Sequence, residues 1–459
     1  MQDVSVIILA AGYGTRMKSK LAKVLHKAGG ATLIEHVIRA AMEIAPPERI
    51  TVVVGHQGEK VREAMAHLGV HFQAQEQQLG TGHAVLVCRN LPHHATGKVV
   101  VMYGDCPLLR GETLNSLVAR HREVGVAAAT LVTCTLDNPR GYGRIFREEG
   151  FVARVVEEKA ATEEEKKVRE VNSGIYCFEA EPLWPHLSSI KPNPASGEIY
   201  LTDMVETLRA AGLKTAPFEV PDPAETVGIN NRVELAEVDG LLRLRKAVAL
   251  MTAGVTIERP DTVSIDAWVE VGADTVIETG AQLRGQTRVG PDCRVGSHSI
   301  LDNATMGGGS VVHPFSVIVD STLESGAEAG PYARIRMGAV VESGAMVGNF
   351  VELKKTRLGG GSKAMHLTYL GDSSIGRDVN IGAGTITCNY DGKKKHPTAV
   401  GDGAFIGSNS TLVAPVEVGQ GSYVAAGSVI TEKVPEDALA LGRSRQVIKE
   451  GWAKRRREE

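Results

Sequence analysis

The chain shows two hydrophobic patterns, and the first runs from residue 1 to about residue 220. Short apolar runs are typical of buried strands, and they stand at Val4–Leu9, Ile50–Val54, Lys98–Met102 and Val126–Val132. Amphipathic stretches at Leu33–Met42 and Gly111–Val124 predict helices between them. Alternating strands and helices indicate an α/β domain with a mostly parallel sheet, whose ligand binds beyond the carboxyl ends of the strands.

The second pattern begins after residue 262 and repeats every six residues. Aliphatic side chains occupy Ile265, Val271, Ile277, Leu283, Val289, Val295 and Leu301, then Val311, Val317, Leu323, Ala329, Ile335, Val341, Val347 and Leu353. The same spacing returns at Ile375 and Ile381 and again from Val400 to Ile430. A period of six fits neither an α-helix nor an alternating strand. It indicates a parallel β-helix of about eight coils, left-handed in the hexapeptide solenoids that it resembles.

Interruptions of this period suggest where the β-helix carries its function. We expect the segments 354–374 and 387–399 to be inserted surface loops, because solenoids place extra residues on one face, often the binding face. The apolar spacing of residues 230–250 suits a long connecting helix. The predicted organisation is a nucleotide-binding domain at 1–229, a helical linker at 230–250 and a β-helix domain at 251–459.

Charge and cysteine content exclude several classes of protein. With 51 basic and 54 acidic residues the net charge is −3, which offers no electrostatic basis for binding nucleic acid. No apolar stretch is long enough to span a membrane. The six cysteines show no CxxC spacing, so a reducing, cytoplasmic environment is expected.

The first strand runs directly into a glycine-rich turn, Leu9-Ala10-Ala11-Gly12-Tyr13-Gly14-Thr15-Arg16. Glycines at 12 and 14 let the backbone approach a phosphate, and Arg16 supplies charge. The turn lacks the GK[ST] of a Walker loop and the third glycine of the dinucleotide fingerprint. Taken alone it could equally be an ordinary turn between a strand and a helix. Lys23, QLGTGHA at 78–84 and YGD at 103–105 follow it.

Together these motifs resemble the sugar-nucleotidyltransferase family. With the hexapeptide repeats behind them, they are similar to its bifunctional bacterial members, which combine N-acetylglucosamine-1-phosphate uridylyl transfer with glucosamine-1-phosphate N-acetyl transfer. The resemblance extends over the whole chain through GYGRI at 141–145, VNSGIY at 171–176, GINNR at 228–232, VGNFVELKK at 347–355, GSKAMHLTYLGD at 361–372 and NIGAGTITCNYDG at 380–392. One departure is Ala22, where the family usually has proline before the lysine.

For the first domain, the resemblance implies a Rossmann-like nucleotidyltransferase. Arg16 and Lys23 would neutralise the charge that builds up as pyrophosphate leaves, and Asp105 with Asn230 would hold Mg²⁺. The attacking sugar phosphate is already an anion, so no side-chain nucleophile is required. The residues implied to bind UDP-N-acetylglucosamine are Leu9, Ala10, Ala11, Gly12, Lys23, Gln75, Gly80, Thr81, Tyr103, Gly104, Asp105, Gly143, Glu157, Asn172 and Asn230. Gln73 stays open as an alternative to Gln75.

For the β-helix, the resemblance implies an N-acetyltransferase whose base is His366, within the first inserted loop. An imidazole has a pKa suited to deprotonating an amine at neutral pH, and Glu352 is a candidate to orient it. Arg336, Lys354, Tyr369 and Asn380 resemble ligands of glucosamine-1-phosphate. Ala383, Asn389, Tyr390, Ser408, Ala426 and Arg443 would contact acetyl-CoA, with Arg445 open as an alternative to Arg443.

The resemblance thus implies one enzyme that acetylates glucosamine-1-phosphate and then joins UTP to N-acetylglucosamine-1-phosphate. The product is a precursor of peptidoglycan and, in Gram-negative bacteria, of lipopolysaccharide. A homotrimer is expected, with acetyltransferase sites between neighbouring β-helices. Two alternatives stay open at this point. One is a nucleotidyltransferase whose β-helix only regulates or oligomerises, and the other is a scaffold with two decayed sites.

Overall fold

The computed structural model describes residues 3–194 and 196–459. Backbone contacts divide the chain into two compact units, 1–242 and 243–459, so the division falls inside the long helix. The functional limits at 229 and 251 stay predictions. Among the described residues, no helix has both the length and the apolar composition needed to cross a membrane.

The first unit is built on a nine-stranded mixed sheet with the order β11-β7-β10-β6-β1-β4-β5, in which β8 pairs with β10 and β9. Its strands are β1 (Val4–Ala10), β4 (Ile50–Val54), β5 (His71–Ala74), β6 (Lys98–Tyr103), β7 (Ala127–Thr135), β8 (Arg144–Glu148), β9 (Phe151–Val156), β10 (Glu170–Glu179) and β11 (Lys214–Glu219), with a small hairpin of β2 (Lys27–Ala28) and β3 (Ala31–Thr32). The sheet is less uniformly parallel than expected, because β10 runs antiparallel to both β6 and β7.

The helices are α1 (Leu33–Met42), α2 (Gly58–Met65), α3 (Thr81–Leu86), α4 (Gly111–Val124), α5 (Ala180–Ser189), α6 (Met204–Ala210), α7 (Arg232–Thr252) and α8 (Trp452–Glu458). Short 3-10 turns lie at Thr15–Met17, Lys23–Leu25, Pro47–Arg49, Ala66–Leu68, Pro92–His94, Glu165–Lys167, Leu201–Asp203 and Pro223–Thr226. The two predicted helices have the predicted limits for local reasons. The Thr32 hydroxyl caps α1 by accepting from the Glu35 amide, and Gly125 ends α4 in the left-handed conformation.

The second unit is a left-handed β-helix whose coils each add one short strand to three parallel sheets. The first sheet contains β12 (Thr256–Ile257), β15 (Val276–Ile277), β18 (Arg294–Val295), β21 (Val311–Val312), β24 (Glu328–Ala329), β27 (Met346–Asn349), β30 (Lys363–His366), β33 (Asn380–Ile381), β36 (Phe405–Ile406), β39 (Tyr423–Val424) and β41 (Leu439–Ala440). The second contains β13 (Ser264–Ile265), β16 (Gln282–Arg284), β19 (Ile300–Asp302), β22 (Val317–Val319), β25 (Arg334–Arg336), β28 (Glu352–Lys354), β31 (Tyr369–Gly371), β34 (Ile386–Cys388), β37 (Thr411–Val413) and β40 (Val429–Ile430). The third contains β14 (Glu270–Val271), β17 (Arg288–Val289), β20 (Thr305–Met306), β23 (Thr322–Leu323), β26 (Val340–Val341), β29 (Arg357–Leu358), β32 (Ser373–Ile375), β35 (Thr398–Val400) and β38 (Val416–Val418).

Sheets of 11, 10 and 9 strands correspond to more coils than the eight expected. The prediction that 354–374 is an inserted loop is wrong. This segment forms β29, β30 and β31, and its buried ladder continues through Leu358, Ala364 and Leu370. Here and near residue 306 a coil is one residue shorter, so the strict period of six misses the ladder. For the same reason Val312 and Ile318, rather than Val311 and Val317, point inward.

Candidate active sites

A cavity of about 500 Å³ opens at the carboxyl ends of β1 and β6. The strand order explains its position, because the chain passes from β1 to β4 on one side and reaches β6 on the other side. Twelve of the sequence-predicted residues line it: Leu9, Ala10, Ala11, Gly12, Arg16, Lys23, Gln75, Gly80, Thr81, Tyr103, Asp105 and Asn230. Gly104, Gly143, Glu157 and Asn172 do not line it. Gly14, which the glycine-rich turn had suggested as a phosphate contact, also lines it. Sequence reasoning did not assign the other lining residues, which are Tyr13, Thr15, Val24, Gln78, Ala84, Glu198 and Tyr200.

Two basic side chains and two oxygen donors meet at one end of this cavity. The Lys23 Nζ lies 2.5 Å from Asp105 Oδ2 and 3.1 Å from Asn230 Oδ1. Arg16 Nη2 donates to the same Asn230 oxygen at 2.8 Å. Asp105 and Asn230 thus already converge on one cationic group. A carboxylate and an amide oxygen that share a single cation form a donor set suited to Mg²⁺, which takes few protein ligands and adds phosphates and waters.

The two glutamines that the sequence left open occupy different places. The Gln75 amide donates to the Gly80 carbonyl at 3.1 Å and contacts His83 Nδ1 at 3.0 Å, and the side chain lines the cavity. Gln73 lies on β5 outside the cavity, and its side-chain amide donates to the neighbouring Ala74 carbonyl at 3.4 Å. The geometry therefore favours Gln75 as a nucleotide ligand.

Gly143, Glu157 and Asn172 form a second group beside Tyr103. The backbone N–H of Asn172 donates to the Gly143 carbonyl at 2.9 Å, and a Cβ on Gly143 would lie 3.5 Å from Glu157 Oε1. Tyr103 connects this group to the cavity, because its ring covers Gly174, two residues beyond Asn172. Burial raises the pKa of the Glu157 carboxyl, and Asp203 adds to this effect. A partly desolvated carboxylate with amide neighbours is suited to binding sugar hydroxyls.

Glu198 and Tyr200 reach the cavity on a segment that docks onto the QLGTGHA motif. The Ile199 amide donates to the Leu79 carbonyl and its carbonyl accepts from the Gly82 amide, both at 2.8 Å. Gly80 has a φ of +97°, and a Cβ there would lie 2.6 Å from the Ile199 carbonyl oxygen. The glycines signal that some backbone approaches closely, but the sequence does not say which segment does so.

The β-helix brings most of its predicted sugar-phosphate ligands onto one sheet. Arg336 and Lys354 are paired in register on β25 and β28, and Tyr369 lies opposite Glu352 on the following coil. Lys354 is buried and its Nζ binds Asp372 Oδ2 at 3.0 Å. The Asn389 amide donates to the same oxygen at 2.5 Å. Asn389 was predicted from the sequence to contact acetyl-CoA. In the structure its side-chain nitrogen is already bound to Asp372.

Sequence reasoning missed Lys395, which the second inserted segment carries back to this sheet. Asp391 nucleates the insert by accepting from the amides of residues 393 and 394, and Tyr390 bridges to Lys395. Contact with the Lys354 ammonium lowers the pKa of Lys395. Two adjacent ammonium groups favour a doubly charged anion between them. The insert at 387–399 was expected, but the position of its third lysine depends on the hairpin.

His366 lies at the end of β30, not in a loop, and heads a column of small residues. Strand register places Asn349 before it and Ala383, Ser408 and Ala426 after it on successive coils. Each step is tied by a backbone hydrogen bond, with the Gly384, Asn409 and Gly427 amides donating to the His366, Ala383 and Ser408 carbonyls. Small side chains in line leave room for an extended thioester arm against the corner of the coil.

The remaining predicted residues of the β-helix are less tightly placed. Glu352 accepts from Arg336 Nε at 2.7 Å, and within the described residues no hydrogen bond joins it to His366. Asn380 lies on β33, paired with Lys363. Tyr390 is exposed and donates to the Gly392 carbonyl. Arg443 and Arg445 are both exposed, so the choice between them stays open.

The two units therefore define a nucleotidyltransferase domain followed by a hexapeptide β-helix. Residues 6–172 match the MobA-like NTP transferase domain, and residues 397–432 match the hexapeptide repeat of succinyl-transferase. The "Bifunctional protein GlmU" of Solibacter usitatus is 56% identical over 99% of this chain and 98% of its own length. Those of Koribacter versatilis and Brevibacillus brevis are 48% and 47% identical, over 97% and 98% of their lengths.

The chain belongs to the GlmU family. It is a bifunctional enzyme of UDP-N-acetylglucosamine synthesis, a uridylyltransferase joined to an N-acetyltransferase that takes acetyl-CoA as co-substrate. Similarity over nearly the full length answers the question that the sequence left open. The β-helix is a second enzyme rather than only a regulatory or oligomerising module, and neither half is a decayed scaffold.

Proposed function

We propose that uridylyl transfer takes place in the cavity at the carboxyl ends of β1 and β6. The observation that carries this assignment is the convergence of Arg16, Lys23, Asp105 and Asn230 at one end of it. Arg16 and Lys23 bind and orient the triphosphate, and their charge stabilises the pyrophosphate as it leaves. Asp105 and Asn230 would hold Mg²⁺, which supplies further charge neutralisation when bound.

The cavity and the group beside Tyr103 select the two substrates. Leu9, Ala10, Ala11, Gly12, Gln75, Gly80 and Thr81 contact the uridine. Tyr103 closes the cavity at the end of β6, and Gly104 follows it just outside the lining. Gly143, Glu157 and Asn172 bind N-acetylglucosamine-1-phosphate, whose phosphate oxygen is the attacking atom. Because this nucleophile is already ionised, the protein provides position and charge rather than a base.

We propose that acetyl transfer takes place at the His366 column of the β-helix. Arg336, Lys354, Tyr369, Asn380 and the newly found Lys395 bind glucosamine-1-phosphate. His366 removes a proton from its 2-amino group as the amine attacks the thioester. Ala383, Ser408 and Ala426 accommodate the pantetheine arm, and Asn389, Tyr390 and Arg443 complete the acetyl-CoA site. Glu352 binds Arg336 through Oε1, and its proposed role is to orient His366 through the other carboxylate oxygen when the sugar phosphate is bound.

Acetylation comes first and uridylylation second, because the second reaction uses the acetylated sugar phosphate. We propose a homotrimer in which neighbouring β-helices complete the acetyltransferase sites. The reactions belong in the cytoplasm, where UTP and acetyl-CoA are supplied. A monomer in sedimentation measurements on active enzyme at micromolar concentration would contradict the trimer.

The two sites can be separated by one matched pair of variants. Free-thiol release from acetyl-CoA is measured with glucosamine-1-phosphate, and pyrophosphate release is measured with UTP and N-acetylglucosamine-1-phosphate. His366→Ala should reduce thiol release by roughly a hundred-fold or more and leave pyrophosphate release unchanged, since general bases contribute about that much. Asp105→Asn should give the reverse result.

His313→Ala is the control, since His313 lies elsewhere on the β-helix and pairs with Glu328. It should retain both activities. If His366→Ala keeps its thiol release, another group is the base and the column is not the reaction centre.

A further inference from the structure

The two proposed metal ligands stand on different loops of the first unit. Asp105 follows β6, on the segment that leads into α4 at Gly111. Asn230 follows the 3-10 turn Pro223–Thr226 and precedes α7. More than a hundred residues separate them, so their separation in space depends on whatever fixes one loop to the other.

Glu225 makes that connection with a fully buried carboxylate. Its Oε2 accepts from the Arg110 amide at 3.1 Å and from the Thr113 hydroxyl at 2.6 Å. Its Oε1 accepts from Arg110 Nε at 2.9 Å and Nη2 at 2.5 Å. Glu225 belongs to the Asn230 loop, whereas Arg110 and Thr113 belong to the Asp105 loop and to the start of α4. The negative charge also lies at the positive end of that 14-residue helix.

Further contacts between the two loops lie closer to Asp105 and Asn230 than Glu225 does. The Ile229 amide donates to the Asp105 carbonyl at 3.0 Å, so the residue before Asn230 is bound to Asp105 itself. The Cys106 thiol lies 3.9 Å from the Thr226 carbonyl. The two loops therefore pack against each other. Glu225 joins them away from the cavity, and the proposed metal ligands lie on the side that faces it.

A buried carboxylate is an expensive way to gain stability, because desolvation offsets most of the attraction to its partner. A carboxylate with four donors does, however, fix the geometry of the groups around it. We propose that Glu225 is a positioning residue of the uridylyltransferase, which sets the separation of Asp105 and Asn230 and thereby the affinity for the divalent cation. This inference rests on the proposed metal site.

The test is a titration of the full-length enzyme with Mn²⁺ in the presence of UDP-N-acetylglucosamine. Binding is measured from the EPR signal of the Mn²⁺ that remains free. Glu225→Gln keeps the size of the side chain but places an amide NH₂ against donors. Its Mn²⁺ dissociation constant should rise about ten-fold, the lower end of what groups behind metal ligands contribute. Binding of UDP-N-acetylglucosamine without metal should stay within about two-fold of wild type, since a distant clamp does not touch the nucleotide.

Two controls separate positioning from general damage. Glu123→Gln alters an exposed carboxylate at the other end of α4, which pairs with Arg120, and this variant should bind Mn²⁺ like wild type. Metal-free binding of UDP-N-acetylglucosamine reports whether the first unit is intact, and thiol release by the β-helix reports the amount of folded second unit. If Glu225→Gln does not fold, Thr113→Val removes one of the four hydrogen bonds and should raise the Mn²⁺ dissociation constant about three-fold.

An unchanged Mn²⁺ affinity in a folded Glu225→Gln enzyme, or in Thr113→Val when that variant decides, would overturn the proposal. Asp105→Asn in the same titration distinguishes a misassigned metal site from a wrong positioning role for Glu225. If it also retains wild-type Mn²⁺ affinity, the metal site itself is misassigned. If it loses Mn²⁺ and Glu225→Gln does not, only the positioning role is wrong.

Discussion

A buried histidine should make the first unit lose stability in mild acid. His94 has no exposed surface, and its ring nitrogens lie 2.8 Å from the Ser5 hydroxyl and 3.0 Å from the Thr51 hydroxyl. The ring also contacts His93, at a centroid distance of 4.2 Å. Burial, together with the neighbouring His93, lowers the pKa of His94 from 6.5 to about 3.

The direction of the pH effect on the free energy of unfolding follows from the number of protons bound in each state. Between pH 6.5 and pH 3 the unfolded chain binds a proton at His94 and the folded chain does not, so the free energy of unfolding falls as the pH falls below 6.5. Above pH 6.5 His94 is neutral in both states, and it then causes no loss in the free energy of unfolding. With 1.36 kcal/mol for each pKa unit, going from pH 7 to pH 5 costs about 2 kcal/mol.

Urea unfolding followed by tryptophan fluorescence can measure this loss. Trp184 donates to the His94 carbonyl at 2.9 Å and reports on this region directly. Replacing Trp268 and Trp452 by phenylalanine leaves it as the single tryptophan of the chain. His94→Asn in that background removes the titrating group, so its stability should fall by about 2 kcal/mol less between pH 7 and pH 5. Equal losses in the two proteins would refute the reasoning.

Three further changes have expected outcomes. Gly80→Ala should raise the KM for UTP roughly ten-fold or more in pyrophosphate-release assays, because its Cβ would displace the Ile199 carbonyl and misplace the cavity wall; an unchanged KM would show that the docked segment does not shape the site. Lys395→Ala should raise the KM for glucosamine-1-phosphate about ten-fold, the value of one charge-assisted hydrogen bond, with the KM for acetyl-CoA unchanged; equal effects on both substrates would argue against phosphate binding. Ile335→Ala removes a fully buried ladder residue and should destabilise the β-helix by about 2–5 kcal/mol in denaturant unfolding without changing pyrophosphate release; a loss below about 1 kcal/mol would mean that the coil collapses into the cavity.

Elements whose limits depend on residues near them in sequence could be predicted, and elements placed by distant partners could not. The helix at Leu33–Met42 has its own cap and apolar face, so its limits could be read from residues near it in sequence. The strand β10 was not predicted, and its antiparallel direction comes from pairing with β6 and β7. Glu198 and Lys395 were missed for the same reason. Each reaches its site on a segment whose position is set by partners far away in the sequence.

The β-helix shows why the alignment of its candidate residues was more predictable than its loops. Once the ladder residues are known, strand register fixes which side chains are neighbours, and a column such as His366, Ala383, Ser408 and Ala426 follows without side-chain detail. The error at 354–374 came from requiring a constant period, although a coil can lose one residue at a corner and keep its ladder. The true insert, 387–399, lies between the second and third members of that column. A solenoid can therefore add a candidate ligand such as Lys395 next to Lys354 without disturbing the register that aligns the column.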